Sequence, residues 1–385
     1  MDRTIMVYFG MGFLPENNAV ACRQQVIAQM AQRMGMTPVL IGIKRGLSFE
    51  QYEKETYDGI VNYSVKYAGS FKDKIIDNFV IQKTLWRILE EIGVDKIRMF
   101  LMQDYQWLPM KQMKKLCEKH GIAFAADIMD WFTPTSDYSL PKNIFKTVDT
   151  YVRMHWFYPK LKNRMYISHK FAEFFGKRNA NELVLPCTAK DGPCSVQDPA
   201  RGNITLTFAG SPGPKFEKEK LDWIIKALYE NKSNIHLEII GISEETCLAG
   251  NGYLQEYLTD RIHFLGRIPH EECVDRLQKS DFSLVVRQVN KLTTYGFSSK
   301  VCEAFANGIP VIATDTSDNS RYIQNGVNGF VCAPSYQALK MLLQQVENMS
   351  RADVNDMKHN LINHNPLSMQ EYGRQLQVFI DELRV

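Results

Sequence analysis

Two hydroxyl residues and two charged residues stand together at the start of one predicted helix, within residues 295–330. Ser298 and Ser299 suit a helix N-terminus, where their oxygens can cap free amides. Lys300 and Glu303 follow three residues apart and therefore share one helical face. A helix N-terminus attracts anions, so the amides and Lys300 would hold a phosphate while Glu303 grips sugar hydroxyls. The alternative is an ordinary helix-to-strand connection with solvated charges, and the spacing alone favours neither.

A second loop in the same half of the chain offers similar chemistry. Gly210, Ser211, Gly213 and Lys215 fall in the segment GSPGPK, directly after a predicted strand. A glycine-rich turn exposes backbone amides and the lysine adds a cation, so this loop also suits a phosphate. Two anion sites on one domain would suit a diphosphate.

Polar residues also follow two predicted strands in the first half of the chain. Gly12 lies after the first strand, but Pro15 fills the last glycine position of GxGxxG, so the loop is no dinucleotide fingerprint. Asp127, Asp130 and Trp131 follow the strand 122–127 and suit the binding of sugar hydroxyls or the positioning of an acceptor. The alternative, equally supported, is that either carboxylate merely caps a turn.

Alternating strands and helices carry these loops. The predicted strands span residues 4–9, 39–43, 60–65, 97–102, 122–127, 150–154, 164–168, 204–209, 235–240, 262–265, 282–286, 311–313 and 329–332. The predicted helices span residues 19–34, 75–92, 110–120, 170–177, 221–230, 254–258, 271–279, 336–349 and 368–383, besides the one that starts at Ser298. Repeated strand–helix units predict an α/β protein with parallel, doubly wound sheets that bind ligands beyond the strand carboxyl ends.

The chain divides at a small, polar segment rich in proline and glycine, residues 187–203. We therefore predict a Rossmann-like domain over 1–186, a linker over 187–203 and a second Rossmann-like domain over 204–365. The helix within 366–385 is expected to pack back on the first domain. Two such domains would face each other across a ligand-binding cleft.

Composition excludes several classes of protein. The 385 residues are 45% apolar and 23% charged, as in soluble globular proteins. The eight cysteines are scattered without a CxxC pair, which favours reduced thiols in a cytoplasm over disulfides or a zinc site. Neither a signal peptide nor an apolar run of about 18 residues is visible.

Charge is distributed unevenly between the two halves. Residues 1–185 carry 26 Lys and Arg against 19 Asp and Glu, a net charge of +7, and the rest of the chain carries −4. A basic half suggests a phosphorylated acceptor or an acidic membrane surface, and no nucleic-acid motif is present. The aromatic segment 155–159, flanked by lysines, suits contact with a membrane on the inner face, or packing between domains.

Three motifs of the second half resemble one family. Residues 296–314 read GFxxKxxExxxxGxPVIxT, residues 208–213 read FAGSPG, and residues 264–268 read FLGRI. Together they resemble the retaining glycosyltransferases of the GT-B fold, of the group 1 or family four type. The resemblance covers the second domain, about half of the chain.

The resemblance implies roles for the second-domain residues. Glu303 would hold the ribose hydroxyls of the donor nucleotide, and Lys300 and Ser299 would lie near the diphosphate and the sugar. Lys215 and the amides of residues 210–213 would neutralise the β-phosphate as it leaves. Lys215, Lys300 and Glu303, with Asp127 of the first domain, form the expected catalytic set.

Two positions depart from the family pattern. Tyr295 stands where many members have a glutamate near the transferred sugar, and Ser211 stands at the position of a phosphate-binding arginine. Arg287 can supply that missing cation, and Ser298 completes the expected donor-binding residues.

The resemblance also implies the partners of each domain. Gly12 would approach the donor from the first domain, where Asp130 and Trp131 would bind the acceptor. The donor would be a UDP- or GDP-sugar, with no metal and no other cofactor. We therefore expect a glycosyltransferase that moves a sugar, with retention, to a glycan or lipid-linked acceptor in the biosynthesis of capsule, lipopolysaccharide or exopolysaccharide. The alternatives are a nucleotide-sugar epimerase of the same fold and an inactive nucleotide-sugar-binding relative.

Overall fold

The computed structural model of the chain describes residues 3–15, 18–136, 138–176, 179–186, 189 and 202–385. Two compact units make up the chain: Met1–Cys187 with Met369–Val385, and Thr188–Ser368. Most of the predicted linker 187–203 lies outside the described residues.

An eight-stranded sheet forms the centre of the first unit. Its strands are β1 (Ile5–Phe9), β2 (Thr37–Lys44), β3 (Tyr52–Tyr57), β4 (Ile60–Lys66), β5 (Ile97–Gln103), β6 (Ala123–Ile128), β7 (Asn163–Tyr166) and β8 (Asn181–Val184). The spatial order is β3-β4-β2-β1-β5-β6-β7-β8. All neighbouring pairs are parallel except the β3–β4 hairpin at one edge. The strand order reverses between β1 and β5, which is the point where such sheets bind ligands.

In the described part of the first unit, five α-helices connect these strands. They are α1 (Ala19–Arg33), α2 (Phe71–Ile92), α3 (Trp107–Lys119), α4 (Leu140–Val152) and α5 (His169–Phe175). Side-chain caps fix where several of them begin: Asn18 accepts a hydrogen bond from the amide of Ala21, and Ser70 from that of Asp73.

A six-stranded, fully parallel sheet forms the centre of the second unit. Its strands are β9 (Thr205–Ala209), β10 (His236–Ile240), β11 (Ile262–Gly266), β12 (Phe282–Val285), β13 (Val311–Thr314) and β14 (Gly329–Cys332). The spatial order is β11-β10-β9-β12-β13-β14, so the order reverses between β9 and β12. The central strands are buried throughout because helices cover both faces, and they read as continuous apolar runs.

Within its described residues, the second unit has eight α-helices. They are α6 (Leu221–Glu230), α7 (Glu244–Leu248), α8 (His270–Gln278), α9 (Lys291–Tyr295), α10 (Ser299–Ala306), α11 (Asn319–Tyr322), α12 (Tyr336–Glu347) and α13 (Arg351–Asn363). The last helix of the chain, α14 (Met369–Asp381), lies on the first unit against α1 and β8. Asn181 fixes it there by donating from its side-chain amide to the carbonyl of Phe379, 2.7 Å away.

The predicted α/β class with two doubly wound, mainly parallel sheets is confirmed. The strand predicted over residues 150–154 is wrong, because these residues form the end of α4 and a π-helical turn, Arg153–Phe157. The sequence did not predict β3, β8, α4, α7 or α13. Among the helices of the described residues, none is long and apolar enough to span a bilayer.

Candidate active site

The topology of the second unit brings two predicted donor loops together. Gly210 directly follows β9, and Arg287 lies just beyond β12, the two strands between which the sheet order reverses. The carboxyl ends of such strands form a crevice in which ligands bind. Helix α10, which carries Lys300, packs against β12.

Glu219 joins these elements through two ion pairs. Its fully buried carboxylate accepts a hydrogen bond from Arg287, with Nη2 to Oε1 at 3.0 Å, and pairs with the ammonium of Lys300 through Oε2. The Lys300 ammonium also lies 4.4 Å from the centroid of the Phe208 ring. We call Glu219, Arg287 and Lys300 the ion cluster.

Burial and charge shape the ionisation of this cluster. Burial lowers the pKa of Lys300 to about 8, although the carboxylate of Glu219 favours its protonated form. Burial opposes the ionisation of Glu219, but the charges of Lys300 and Arg287 outweigh it and hold its pKa below the ordinary value. The cluster therefore has two cations for one carboxylate and a net positive charge that suits an anionic ligand.

Gly210 lies directly against the side chain of Lys300. A Cβ atom at this position would stand 2.8 Å from Cε and 2.9 Å from Nζ of Lys300, and its φ of +126° is one that L side chains rarely adopt. The side chain of Lys300 thus reaches the loop after β9 at Gly210.

The start of α10 differs from its prediction in one respect. Ser298 is the N-cap residue, yet its side chain makes no capping hydrogen bond. Its hydroxyl instead accepts a hydrogen bond from Nη2 of Arg287 at 3.1 Å. The capping role predicted for Ser298 is therefore wrong. The first backbone amides of α10, including that of the half-buried Ser299, lie beside the ion cluster and receive no capping hydrogen bond from the Ser298 side chain.

Glu303 lies one turn along α10 from Lys300. Its side chain is about one-third exposed, and its Oε1 atom is 4.0 Å from Nδ1 of the exposed His270. Burial raises the pKa of Glu303, and the charges of His270 and Lys300 reduce this shift. A carboxylate in this position can accept hydrogen bonds from the hydroxyls of a ligand held at the ion cluster.

Lys215 and Ser211 stand apart from the ion cluster. Lys215 is exposed on a short 3₁₀ turn, Pro214–Phe216, with a backbone φ of +46°. Ser211 is exposed as well, and its hydroxyl accepts a hydrogen bond of 3.4 Å from the amide of Gly213. Both line the loop after β9, and their predicted contacts with a donor stay predictions.

Asp127 belongs to the core of the first unit. Its fully buried carboxylate forms a two-pronged ion pair with Arg23, at 2.8 and 2.9 Å, and also accepts a hydrogen bond from the hydroxyl of Tyr8. Arg23 further donates to the carbonyl of Pro186 at 3.1 Å. Because both carboxylate oxygens are engaged, this placement corrects the catalytic role predicted for Asp127, whose carboxylate ties α1 to β6 instead.

The other first-unit candidates have mixed surroundings. Gly12 is buried where a Cβ atom would lie 2.8 Å from Cα of Ala21, so it is required for packing against α1. Trp131 is buried, with its ring edge-on to that of Phe174 at 5.0 Å. Asp130 is exposed at the carboxyl edge of the sheet, where an acceptor can reach it.

The sequence did not reveal Glu219, which is central to the site. It lies in the run KFEKEK, where alternating charges indicate a solvated surface. Only the fold distinguishes the buried Glu219 from the exposed Glu217 two residues earlier. Among the described residues, no group of three or more His, Cys, Asp and Glu side chains is arranged to hold a metal ion.

Comparison with known proteins agrees with this architecture. Residues 206–365 match the family model described as glycosyl transferases group 1. A search of curated proteins finds no match.

Solved structures cover the whole chain. Sucrose-phosphate synthase from Thermosynechococcus elongatus superposes with a TM-score of 0.72 at 12% identity, covering 99% of both chains. The Anabaena protein HepE in complex with UDP and glucose gives 0.67 at 12% identity, covering 99% of this chain and 100% of its own. The apo form of a lipopolysaccharide outer core galactosyltransferase gives 0.63 at 15% identity, covering 98% and 99%.

The chain as a whole therefore has the GT-B fold seen in glycosyltransferase structures. Its second unit contains a group 1 glycosyltransferase domain over residues 206–365, and the ion cluster lies within that domain.

Proposed function

We propose that the protein transfers a sugar from a nucleoside-diphosphate donor, a UDP- or GDP-sugar, to a glycan or lipid-linked acceptor. The observation that supports this most is the ion cluster at the reversal point of the second sheet. Lys300 and Arg287 together carry one positive charge more than Glu219 balances. A diphosphate bound beside them would complete the charge balance. The structures of HepE with UDP and with UDP-glucose favour a uridine donor.

The reaction breaks the bond between the anomeric carbon and the β-phosphate oxygen of the donor. The electron pair of that bond moves to the phosphate, whose growing negative charge Lys300, Arg287 and the amides at the start of α10 would stabilise. An acceptor hydroxyl forms the new bond to the anomeric carbon and gives its proton to the departing phosphate oxygen. Glu303 would accept hydrogen bonds from the ribose hydroxyls. No metal ion takes part in this proposal.

Retention of the anomeric configuration rests on the resemblance to retaining enzymes. The half-buried Tyr295, which ends α9, occupies the position of the family's first glutamate. The sugar would therefore meet a phenol where many relatives offer a carboxylate. Retention can be read directly from the configuration of the product.

A role in polysaccharide biosynthesis at a membrane fits one further surface. Helix α4 exposes Leu140, Ile144, Val148 and Tyr151 on one face, each more than half exposed. Trp156 on the next turn is exposed too. The first unit, which carries this face, is basic, and an anionic lipid surface would complement its charge best. We propose a cytoplasmic enzyme that contacts the inner face of the membrane through α4.

Sugar transfer itself is the test of this function. The protein is incubated with UDP- and GDP-sugars and a panel of glycan and polyprenyl-diphosphate-linked acceptors, and the products are identified by mass spectrometry. Lys300→Ala and Glu303→Ala are expected to reduce turnover by orders of magnitude. Lys340→Ala, which removes a partly exposed lysine elsewhere in the same unit, is the matched control and should keep full activity.

Two outcomes would contradict the proposal. Conversion of a nucleotide-sugar without any acceptor would indicate an epimerase. Binding of a nucleotide-sugar with neither transfer nor hydrolysis would indicate an inactive relative.

A further inference from the structure

A group of half-buried lysines lies at the carboxyl edge of the first sheet, outside the ion cluster. Lys74 is in the first turns of α2, which follows β4. Lys142 and Lys146 lie in the first turns of α4, next to the loop after β6 that contains Phe132 and Tyr138. We call these five residues the lysine–aromatic cluster.

Two of the ammonium groups share one aromatic ring. The Nζ atom of Lys142 is 3.8 Å from the centroid of Tyr138, and Nζ of Lys146 is 4.8 Å from the same centroid. Lys146 is also 4.3 Å from the centroid of Phe132, whose ring stacks on Tyr138 at 6.1 Å. Both ammonium groups therefore lie within cation–π distance of the Tyr138 ring.

The electrostatics of the cluster are unfavourable without an anion. Burial and, to a smaller extent, the nearby charges of Lys74, Lys142 and Arg153 lower the pKa of Lys146 to about 8, whereas Asp130 opposes the shift. Burial and the charge of Lys142 also lower the pKa of Lys74. Proteins rarely group partly buried cations unless a ligand or a counter-ion neutralises them.

Two carboxylates near the cluster, among the described residues, already have other partners. Asp77 and Asp149 act on Lys74 from a distance, but each already has a partner. The carboxylate of Asp77 accepts a hydrogen bond from the hydroxyl of Tyr105, and Asp149 pairs with Arg153 at 2.8 Å. Within the described part of the chain, none of the three lysines forms an ion pair with a carboxylate.

We infer that the lysine–aromatic cluster binds a phosphate group of the acceptor. This inference rests on the proposed function and narrows its substrate class to acceptors that carry a phosphate monoester or a diphosphate. The cluster lies at the edge of the sheet where parallel α/β proteins bind ligands. Asp130, which begins the same loop and is exposed, would then face the acceptor sugar.

Two sources can supply such a phosphate, and both have the same chemistry at the cluster. One is a free sugar phosphate, and the other is the diphosphate of a lipid-linked glycan. Glucose 6-phosphate and farnesyl diphosphate represent the two sources, and inorganic pyrophosphate is the minimal probe.

The test measures binding of these three probes by isothermal titration calorimetry on the full chain. Each titration is performed with the donor site saturated by the nucleoside diphosphate that binds most tightly, so that only a second site is observed. We expect saturable binding to the unmodified protein and a loss of about tenfold or more in affinity for Lys142→Gln and Lys146→Gln. Lys72→Gln removes an exposed lysine two residues before Lys74 on α2, and this variant should bind the probes as the unmodified protein does.

The result separates the two proposals. Equal affinity for the probes in the unmodified protein and all variants would overturn the proposal of an acceptor-phosphate site. So would a lack of binding of every probe once the donor site is filled. The donor proposal would survive either outcome, because nucleoside diphosphate binding is measured in the same experiment. Tighter binding of farnesyl diphosphate than of glucose 6-phosphate would assign the site to lipid-linked acceptors, and the reverse to sugar phosphates.

Discussion

At the scale of single residues, Glu219 holds together the cations of the proposed donor site. It keeps Lys300 and Arg287 side by side in a buried position where two cations alone would repel each other. A ligand diphosphate does not have to replace it, because one positive charge remains unbalanced. The carboxylate therefore acts as a positioning residue for both cations.

Binding of the donor nucleotide should depend on the protonation of Lys300. Only the charged ammonium attracts a diphosphate, and burial places the pKa of Lys300 at about 8. Affinity for UDP should stay constant below that pH and fall by up to about tenfold per pH unit above it. Calorimetric titrations between pH 6.5 and 9.5, on the order of half a unit apart, measure this profile.

Lys300→Arg provides the matched comparison, because a guanidinium keeps its charge throughout this range. Its affinity should not fall above pH 8. A flat profile in the unmodified protein would show that Lys300 does not bind the nucleotide in its charged form.

The pair formed by Asp127 and Arg23 should contribute to stability and not to chemistry. Asp127→Ala leaves a fully buried guanidinium without its partner, so the free energy of unfolding should drop by about 3–5 kcal/mol. Urea denaturation measures this change. Asp130→Ala, at an exposed position three residues later, should change it by less than about 1 kcal/mol. A fully stable but inactive Asp127→Ala protein would restore the catalytic assignment that the sequence suggested.

At the scale of elements, Lys300 connects helix α10, which carries it, to the loop after β9, where it lies against Gly210. Thr314 at the end of β13 fixes the backbone of Arg287. Its hydroxyl accepts a hydrogen bond from the Arg287 amide and donates one to the Arg287 carbonyl, each at 2.7 Å. Gly210 leaves the space that Lys300 fills. The site is therefore built by three segments that are distant in sequence.

Gly210→Ala should displace Lys300 and weaken nucleotide binding by about tenfold or more. The added methyl group would come within 3 Å of the lysine side chain. Gly250→Ala is the control, since Gly250 also has a positive φ, +83°, but faces open space. Both variants should lose stability through backbone strain, and only Gly210→Ala should lose affinity for the nucleotide. Equal affinities in both variants would contradict the placement of Lys300.

The elements differ in how well the sequence predicts them. Buried parallel strands such as β12 and β13 are short apolar runs between turn residues, and α6 was predicted with the bounds it has in the structure, Leu221–Glu230. The segment 150–154 was taken for a strand because threonine, tyrosine and valine favour strands, yet it continues α4. The edge strand β3 was missed because almost all of its residues are polar and exposed.

The candidate site was predictable only where a local motif indicates it. Lys300, Glu303 and the loop after β9 have helix-start and glycine-loop patterns that are readable from the sequence. Glu219 and the Asp127–Arg23 pair depend on contacts between distant segments, 81 residues apart for Glu219 and Lys300 and 104 for Arg23 and Asp127. No local pattern distinguishes such residues from solvated charges.

At the scale of the whole molecule, the two units have different surfaces. The second unit contains the ion cluster, and the first contains the lysine–aromatic cluster and the apolar face of α4. These surfaces agree with our proposal that the second unit binds a soluble nucleotide donor. They also agree with the proposal that the first unit binds an acceptor located at a charged surface.

The face of α4 should bind anionic membranes. Ile144→Glu with Val148→Glu places two negative charges on the exposed apolar face and should abolish sedimentation with phosphatidylglycerol vesicles, because each buried aliphatic side chain contributes about 1.5–3 kcal/mol. Binding of the unmodified protein should weaken with salt and with phosphatidylcholine vesicles. Met341→Glu, at an exposed methionine of the second unit, should leave it unchanged. Sedimentation of the double variant equal to that of the unmodified protein would exclude α4 as the contact.

The central claim is that the ion cluster of Glu219, Arg287 and Lys300 holds the diphosphate of the donor. Its most direct test is calorimetric titration of UDP, GDP and ADP into the unmodified protein, Lys300→Ala and the control Lys340→Ala at pH 7. Saturable binding of one nucleotide should fall between about tenfold and a hundredfold in Lys300→Ala and stay unchanged in the control. Equal affinity in all three proteins, or no binding of any of these nucleotides, would contradict the assignment.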